Sequence, residues 1–232
     1  AARTCCDPGT TIARTPGATR RPPATRAASR RSPSRPLVHE PMKATSIRVP
    51  QLKDCKTHLN KRKRTGTQST IFITEGQSAG GSFVSCRDVN TQAIFTIRGK
   101  PQNTFGRPRA DLYRNEELYN LMMALGIEND IGQLRYNRVV IATDADVDGF
   151  HIRNLLLTFF LNYFEDLVVT GHVYILETPL FRVRNKQETV YCYGGKERDA
   201  AVKRLKAPEI TRSKGLGEIS PREFGQFIGP DI

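Results

Sequence analysis

Apolar and polar positions divide this chain into an unpatterned start and a strongly patterned remainder. Residues 1–45 repeat neither every second position nor every three to four, so they predict neither strand nor helix. Beyond them a short apolar run at 71–74 predicts a strand, with Glu75 at its end. Gly76, Gly80 and Gly81, with Ser78 and Ser82, predict a turn into a helix over 78–87. A second strand is expected over 92–97. A helix follows over 115–125, where Leu118, Leu121, Met122 and Leu125 recur at core spacing. Val139, Val140, Ile141 and Ala142 form a continuous apolar run, the mark of a strand buried on both faces. The next helix, 150–168, carries Ile152, Leu155, Leu156, Phe159, Tyr163 and Leu167 on one stripe and ends at Gly171. A fourth strand is expected over 173–176. Then come a hairpin of 181–184 with 189–193, a charged helix over 196–205, and a glycine-rich turn at Lys214-Gly-Leu-Gly217.

Strands alternating with helices predict an α/β fold: a mostly parallel four-stranded sheet flanked by helices, joined by right-handed crossovers. Residues 181–232 read as a small α+β extension. The chain reaches Asp231-Ile232 without a closing element, which reads as a fragment.

Charge adds a partner to this picture. The 232 residues carry a formal net charge of +13, which favours a polyanion. Residues 1–40 hold eight arginines against Asp7 and Glu40, so about half of the excess lies elsewhere. Residues 1–45 are rich in Arg, Pro, Thr and Ser and read as a disordered tail. Residues 46–69, with Lys53, Lys56, Lys61, Arg62, Lys63 and Arg64, read as a basic linker. Five cysteines without a Cys-x-x-Cys pair predict neither a disulfide frame nor a zinc cluster. No signal peptide is evident, and the apolar run 155–169 is too short to span a bilayer.

Candidate chemistry concentrates where the third strand stops. Asp144, Asp146 and Asp148 follow it at alternate positions, and Gly149 is expected to permit a tight turn into the next helix. Alternate residues of an extended chain point the same way, so Asp144 and Asp146 are expected to converge. Such carboxylates repel unless a cation lies between them, and hard oxygen ligands suit Mg2+. An EF-hand loop fits poorly, because its twelfth position would be Leu155 rather than Glu and the element before it reads as a strand. In parallel sheets ligands sit beyond the carboxyl ends of the strands, where Glu75 and Asp144 both lie. Two carboxylate-bearing segments at one edge suit metal-assisted phosphoryl transfer. Arg98 and Lys100 follow a strand end, and Arg212 and Lys214 flank the glycine-rich turn; all four are candidate phosphate contacts. His151 and His172 lack a ligand partner at metal spacing and read as structural. Ser78 lacks a His/Asp pair and reads as a helix start.

Together these residues resemble the Toprim domain, over 70–180. The wider motifs are Thr74-Glu-Gly-Gln-Ser-Ala-Gly-Gly81, Arg98-Gly-Lys-Pro-Gln-Asn103, Asp144-Ala-Asp-Val-Asp-Gly-Phe-His-Ile-Arg153, Gly171-His-Val-Tyr174 and Lys214-Gly-Leu-Gly-Glu218. In this order they resemble the B subunits of bacterial type IIA topoisomerases over residues 46–232, whether DNA gyrase or topoisomerase IV. The resemblance implies that Glu75, Asp144, Asp146 and Asp148 hold one or two Mg2+ ions at a DNA cleavage site, with Mn2+ or Ca2+ able to substitute in binding. Glu75, Asp144 and Asp146 would be the catalytic set, and Asp148 would act from further out. It also implies double-stranded DNA as substrate, an A subunit that supplies the attacking tyrosine in an A2B2 assembly, and a cytoplasmic, nucleoid-associated setting. ATP would bind only in a preceding region that this sequence does not include. The family usually has Asp where Gln77 stands and an aromatic where Ser213 stands, which implies altered electrostatics and turn packing. Another Toprim enzyme, a metal-dependent nuclease or primase, is the alternative. A phosphatase and a non-catalytic DNA-binding module are further ones.

Overall fold

The structure is a computed structural model that describes residues 49–61 and 64–229, without the side chains of 77–80 and 82. The basic tail, Arg62, Lys63, and the side chains of Gln77, Ser78 and Ser82 lie outside the described residues.

The chain runs β1 (Leu52–Lys53), β2 (Thr70–Glu75), α1 (Gly76–Cys86), β3 (Gln92–Ile97), α2 (Glu116–Leu125) and β4 (Arg138–Ala142). It continues through α3 (Val147–Tyr163), α4 (Glu165–Val169) and β5 (Val173–Ile175). Then come β6 (Phe181–Arg184), β7 (Thr189–Cys192), α5 (Gly195–Arg204), β8 (Glu209–Arg212) and α6 (Pro221–Phe227). The larger sheet has five strands in the order β1-β3-β2-β4-β5. The four expected strands pair in parallel, and β1 adds an antiparallel edge on β3. The smaller sheet, β7-β6-β8, is antiparallel.

The apolar runs of the central strands are explained by burial on both faces. Side chains alternate across a strand. Ile71, Ile73, Phe95, Val139 and Ile141 point into one core, against Leu121, Met122 and Leu125 of α2 and Ile152, Leu156 and Phe159 of α3. Phe72, Ile94, Val140 and Ala142 point into another, against Phe83 of α1, Leu216 and Phe224. Val183, Cys192, Ala201 and Leu205 make a separate core beneath the small sheet. Among the described residues, no helix is long and apolar enough to cross a membrane.

Three expectations are corrected. The helix after the aspartates begins at Val147, not Phe150, because Asp146 caps it by accepting from the Gly149 N–H at 2.8 Å. It does not run on to 168: Phe164 leaves the helical region at φ −140°, and its ring turns into the core between α3 and α4. Strand β8 and helix α6 are not among the expected elements.

Candidate metal centre

Parallel pairing fixes the position of Glu75. Thr74 of β2 lies opposite Ala142 of β4, so Glu75 and the residues following Ala142 leave neighbouring strands at the same carboxyl-end rim. Each acidic residue then has its own support. Glu75 closes β2 and stands at the N-cap of α1, and Gly76 turns the chain there at φ +65°. Asp144 accepts from the Leu216 N–H at 2.8 Å. Asp146 is occupied by its capping bond. Asp148, in the first turn of α3 rather than on an extended strand, pairs with the Lys100 ammonium at 2.7 Å. The alternation argument therefore ends at Asp146.

Gly149 is required for close approach rather than for a turn. A Cβ there would lie 2.2 Å from the Asp144 carbonyl oxygen and 2.8 Å from its nitrogen, both backbone atoms. The first turn of α3 therefore packs directly on the chain that carries Asp144.

The rim is electrostatically unbalanced. Burial pushes the Glu75 carboxyl up from its ordinary range, and Asp144, Asp146 and Asp148 push it further, against the opposing charge of Lys100. Burial also raises Asp144, the Leu216 N–H opposes that, and Asp146 and Glu218 add to the rise. Asp148 is held low by its hydrogen bond to Lys100. The Glu75 Oε2 atom is buried without a hydrogen-bond partner. An unpaired buried acceptor beside like charges fits a cation. A cavity of about 350 Å³ opens beside Asp144 and Asp146 and is lined further by Phe150, Arg153, Glu177 and Tyr193.

The candidate phosphate contacts lie around this rim. Arg98 and Lys100 follow the end of β3, exposed, although Lys100 is engaged by Asp148. Arg212 ends β8, with its guanidinium 5.8 Å from the Phe181 ring centre. Arg212 and Lys214 share a groove with Asp146, Val147 and Phe150. His172 Nδ1 lies 2.6 Å from the Asn137 carbonyl and so serves as a structural donor.

A second polar cluster has no counterpart in the sequence motifs. Asp54, Cys55 and His58 are, among the described residues, the one group of three ligand-type side chains whose ligand atoms all lie within 4.8 Å of one another. The acidic rim is more open than that. Asp54 is already engaged, however. It accepts from Tyr136 Oη at 2.6 Å and His58 Nε2 at 2.9 Å, and it pairs with Arg135. Burial raises its carboxyl, but the bonds from His58 and Tyr136 and the charge of Arg135 prevail and hold it well below its ordinary range. Burial, reinforced by Asp54, pushes the Cys55 thiol up to about 11, which disfavours the thiolate a metal would need. This cluster is a knot that ties the β1 segment to the entry of β4.

A parallel sheet with acidic residues at the carboxyl ends of two neighbouring central strands defines a known class. The Toprim domain family model matches residues 70–178, and this part of the chain is a Toprim domain. Over a greater length the chain is a relative of the B subunits of type IIA topoisomerases. It is 63% identical over 192 residues to the B subunit of DNA topoisomerase 4 from Borreliella burgdorferi, covering 82% of this chain and 32% of that protein. It is 38% identical over 202 residues to the B subunit of DNA gyrase from Thermus thermophilus, covering 82% of this chain and 31% of that one. The crystal structure of the Plasmodium falciparum topoisomerase II DNA-binding, cleavage and re-ligation domain matches with a TM-score of 0.66 and 25% identity, over 78% of this chain and 26% of that chain. The chain thus spans about a third of the length of these curated relatives.

Proposed function

We propose that the acidic rim binds one or two divalent cations, Mg2+ in the cell, and serves the DNA cleavage and religation site of a type IIA topoisomerase as part of its B subunit. The observation that carries this reading is the buried, unpartnered Glu75 Oε2 at the same strand-end rim as Asp144, Asp146 and Asp148. Glu75, Asp144 and Asp146 would hold the metal, and Asp148 would tune it while engaged with Lys100. A bound cation would supply positive charge to phosphate oxygens as a strand breaks and reseals.

The rest of the chemistry falls to other groups. The attacking tyrosine belongs to an A subunit, and this chain supplies no nucleophile. Arg98, Lys100, Arg212 and Lys214 would neutralise DNA phosphates on either side of the rim. Lys100 would exchange Asp148 for phosphate as DNA arrives. ATP hydrolysis belongs to a region outside residues 1–232, and the working assembly would pair two A with two B subunits.

Reconstitution with a matching A subunit tests the reading. Mg2+-dependent double-strand breaks are expected with the parent chain and not with Asp144→Ala, while DNA affinity is largely kept. Undiminished cleavage by that variant would refute it. A Mg2+-dependent nick by the chain alone would favour the nuclease alternative.

A further inference from the structure

The Toprim match ends at residue 178, yet the hydrogen bond that fixes Asp144 comes from beyond it. We propose that the turn Lys214–Glu218 is a working part of the metal centre: it orients the Asp144 carboxylate, and Glu218 is the positioning residue that shapes the turn. This inference rests on the metal-binding reading above.

Four observations converge on the turn. The Leu216 N–H donates to Asp144 Oδ1 at 2.8 Å. The Ala145 N–H donates to the Lys214 carbonyl at 2.8 Å, so the two segments clasp each other from both sides of Asp144. A Cβ on Gly215 would lie 3.4 Å from Asp144 Oδ2, so the backbone of the turn runs within van der Waals reach of the carboxylate. Glu218 closes the loop on itself: its Oε2 accepts from the Lys214 N–H at 2.8 Å, and its own N–H donates to the Gly215 carbonyl at 3.1 Å.

The turn is anchored as well as shaped. Leu216 is 2% exposed and packs with Phe72, Phe83, Val140 and Ala142, under the strands that end in Glu75 and Asp144. Burial of that leucine side chain holds the short loop in register. A carboxylate held through one oxygen presents its other oxygen in a fixed direction. Partners that orient metal ligands in this way typically set metal affinity by about 10–100-fold. Glu218 is exposed, so its removal should leave folding intact.

The test measures Mn2+ binding to the full chain by electron paramagnetic resonance, together with thermal melting. Glu218→Ala should weaken Mn2+ binding by about tenfold with an unchanged melting temperature. Glu218→Gln, which keeps an oxygen to accept from Lys214, should restore binding close to the parent. Asp144→Asn is the control and should lose the ion. Parent-like binding by Glu218→Ala, with Asp144→Asn defective, would overturn this inference alone. Loss in both Glu218 variants would overturn it too, because binding would then need the charge of Glu218 and not its bond to the Lys214 N–H. Parent-like binding by Asp144→Asn would remove the metal-binding reading and this inference with it.

Discussion

Two polar clusters in this molecule are built around carboxylates, and they are opposites. In the knot, Asp54 faces Arg135, Tyr136 and His58, and its carboxyl is held well below its ordinary range. In the rim, Glu75 faces three aspartates with Lys100 as the opposing charge, and its carboxyl is pushed up. The knot satisfies its charge with the protein's own donors. The rim leaves a buried carboxylate oxygen without any. The tighter set of ligand-type atoms is thus the poorer metal candidate: His58 Nδ1 has no partner there, but Asp54 is bonded to Arg135, Tyr136 and His58, and the Cys55 thiol is held protonated. Electrostatic imbalance, more than closeness, is what singles out the rim as the candidate site.

Substitutions should separate the two clusters. The largest effect is expected from Gly149→Ala, whose methyl would have to enter the Asp144 backbone. It should abolish Mn2+ binding and lower stability by about 2–3 kcal/mol, measured by ion titration and urea unfolding. Next comes Asp54→Ala, which strands Arg135, Tyr136 and His58. A loss of about 2 kcal/mol is expected, reduced from the cost of a fully buried pair because Asp54 is partly solvated, and ion binding at the rim should be untouched. Glu75→Gln should do the reverse: lose the ion, yet raise the melting temperature in metal-free buffer by relieving repulsion.

The smallest effect lies in pH dependence, and its sign differs between the clusters. The lowered Asp54 contributes stability above its ordinary value of 3.8 that is lost as pH falls through its folded value. The raised Glu75 costs stability above its folded value, and that cost is relieved as pH falls through it toward 4.5. Acid titration of unfolding should therefore be flatter at low pH in Asp54→Asn, and shifted the opposite way at mildly acidic pH in Glu75→Gln. Parallel changes in both variants would contradict the comparison. Glu223, whose carboxyl is held down at about 2 by Ser220, Arg182 and Tyr191, adds a second loss between 4.5 and about 2 that both variants share.

The rim was legible in the sequence and the knot was not, for a physical reason. Parallel strands buried on both faces leave long apolar runs, and each run ends visibly in its acid, Glu75 or Asp144. The knot joins Asp54 and His58 to Arg135 and Tyr136 across about eighty positions, with no pattern to link them. Strand β1 is two residues long and β8 is Glu-Ile-Thr-Arg, too short or too polar for alternation to register. Helix α6 did carry a signal: Ser220 accepts from the Glu223 N–H and Pro221 sits at the first position. The break at Phe164 has neither Pro nor Gly to announce it. Arg212 and Lys214, which flank the 214–217 turn, pointed to DNA, whereas the structure also sets that turn against Asp144.

The most direct test is an anomalous difference map from crystals of this chain soaked in Mn2+. The account requires a peak between Glu75 and Asp144 and no peak at Asp54, Cys55 and His58. A peak at the knot with an empty rim would contradict it.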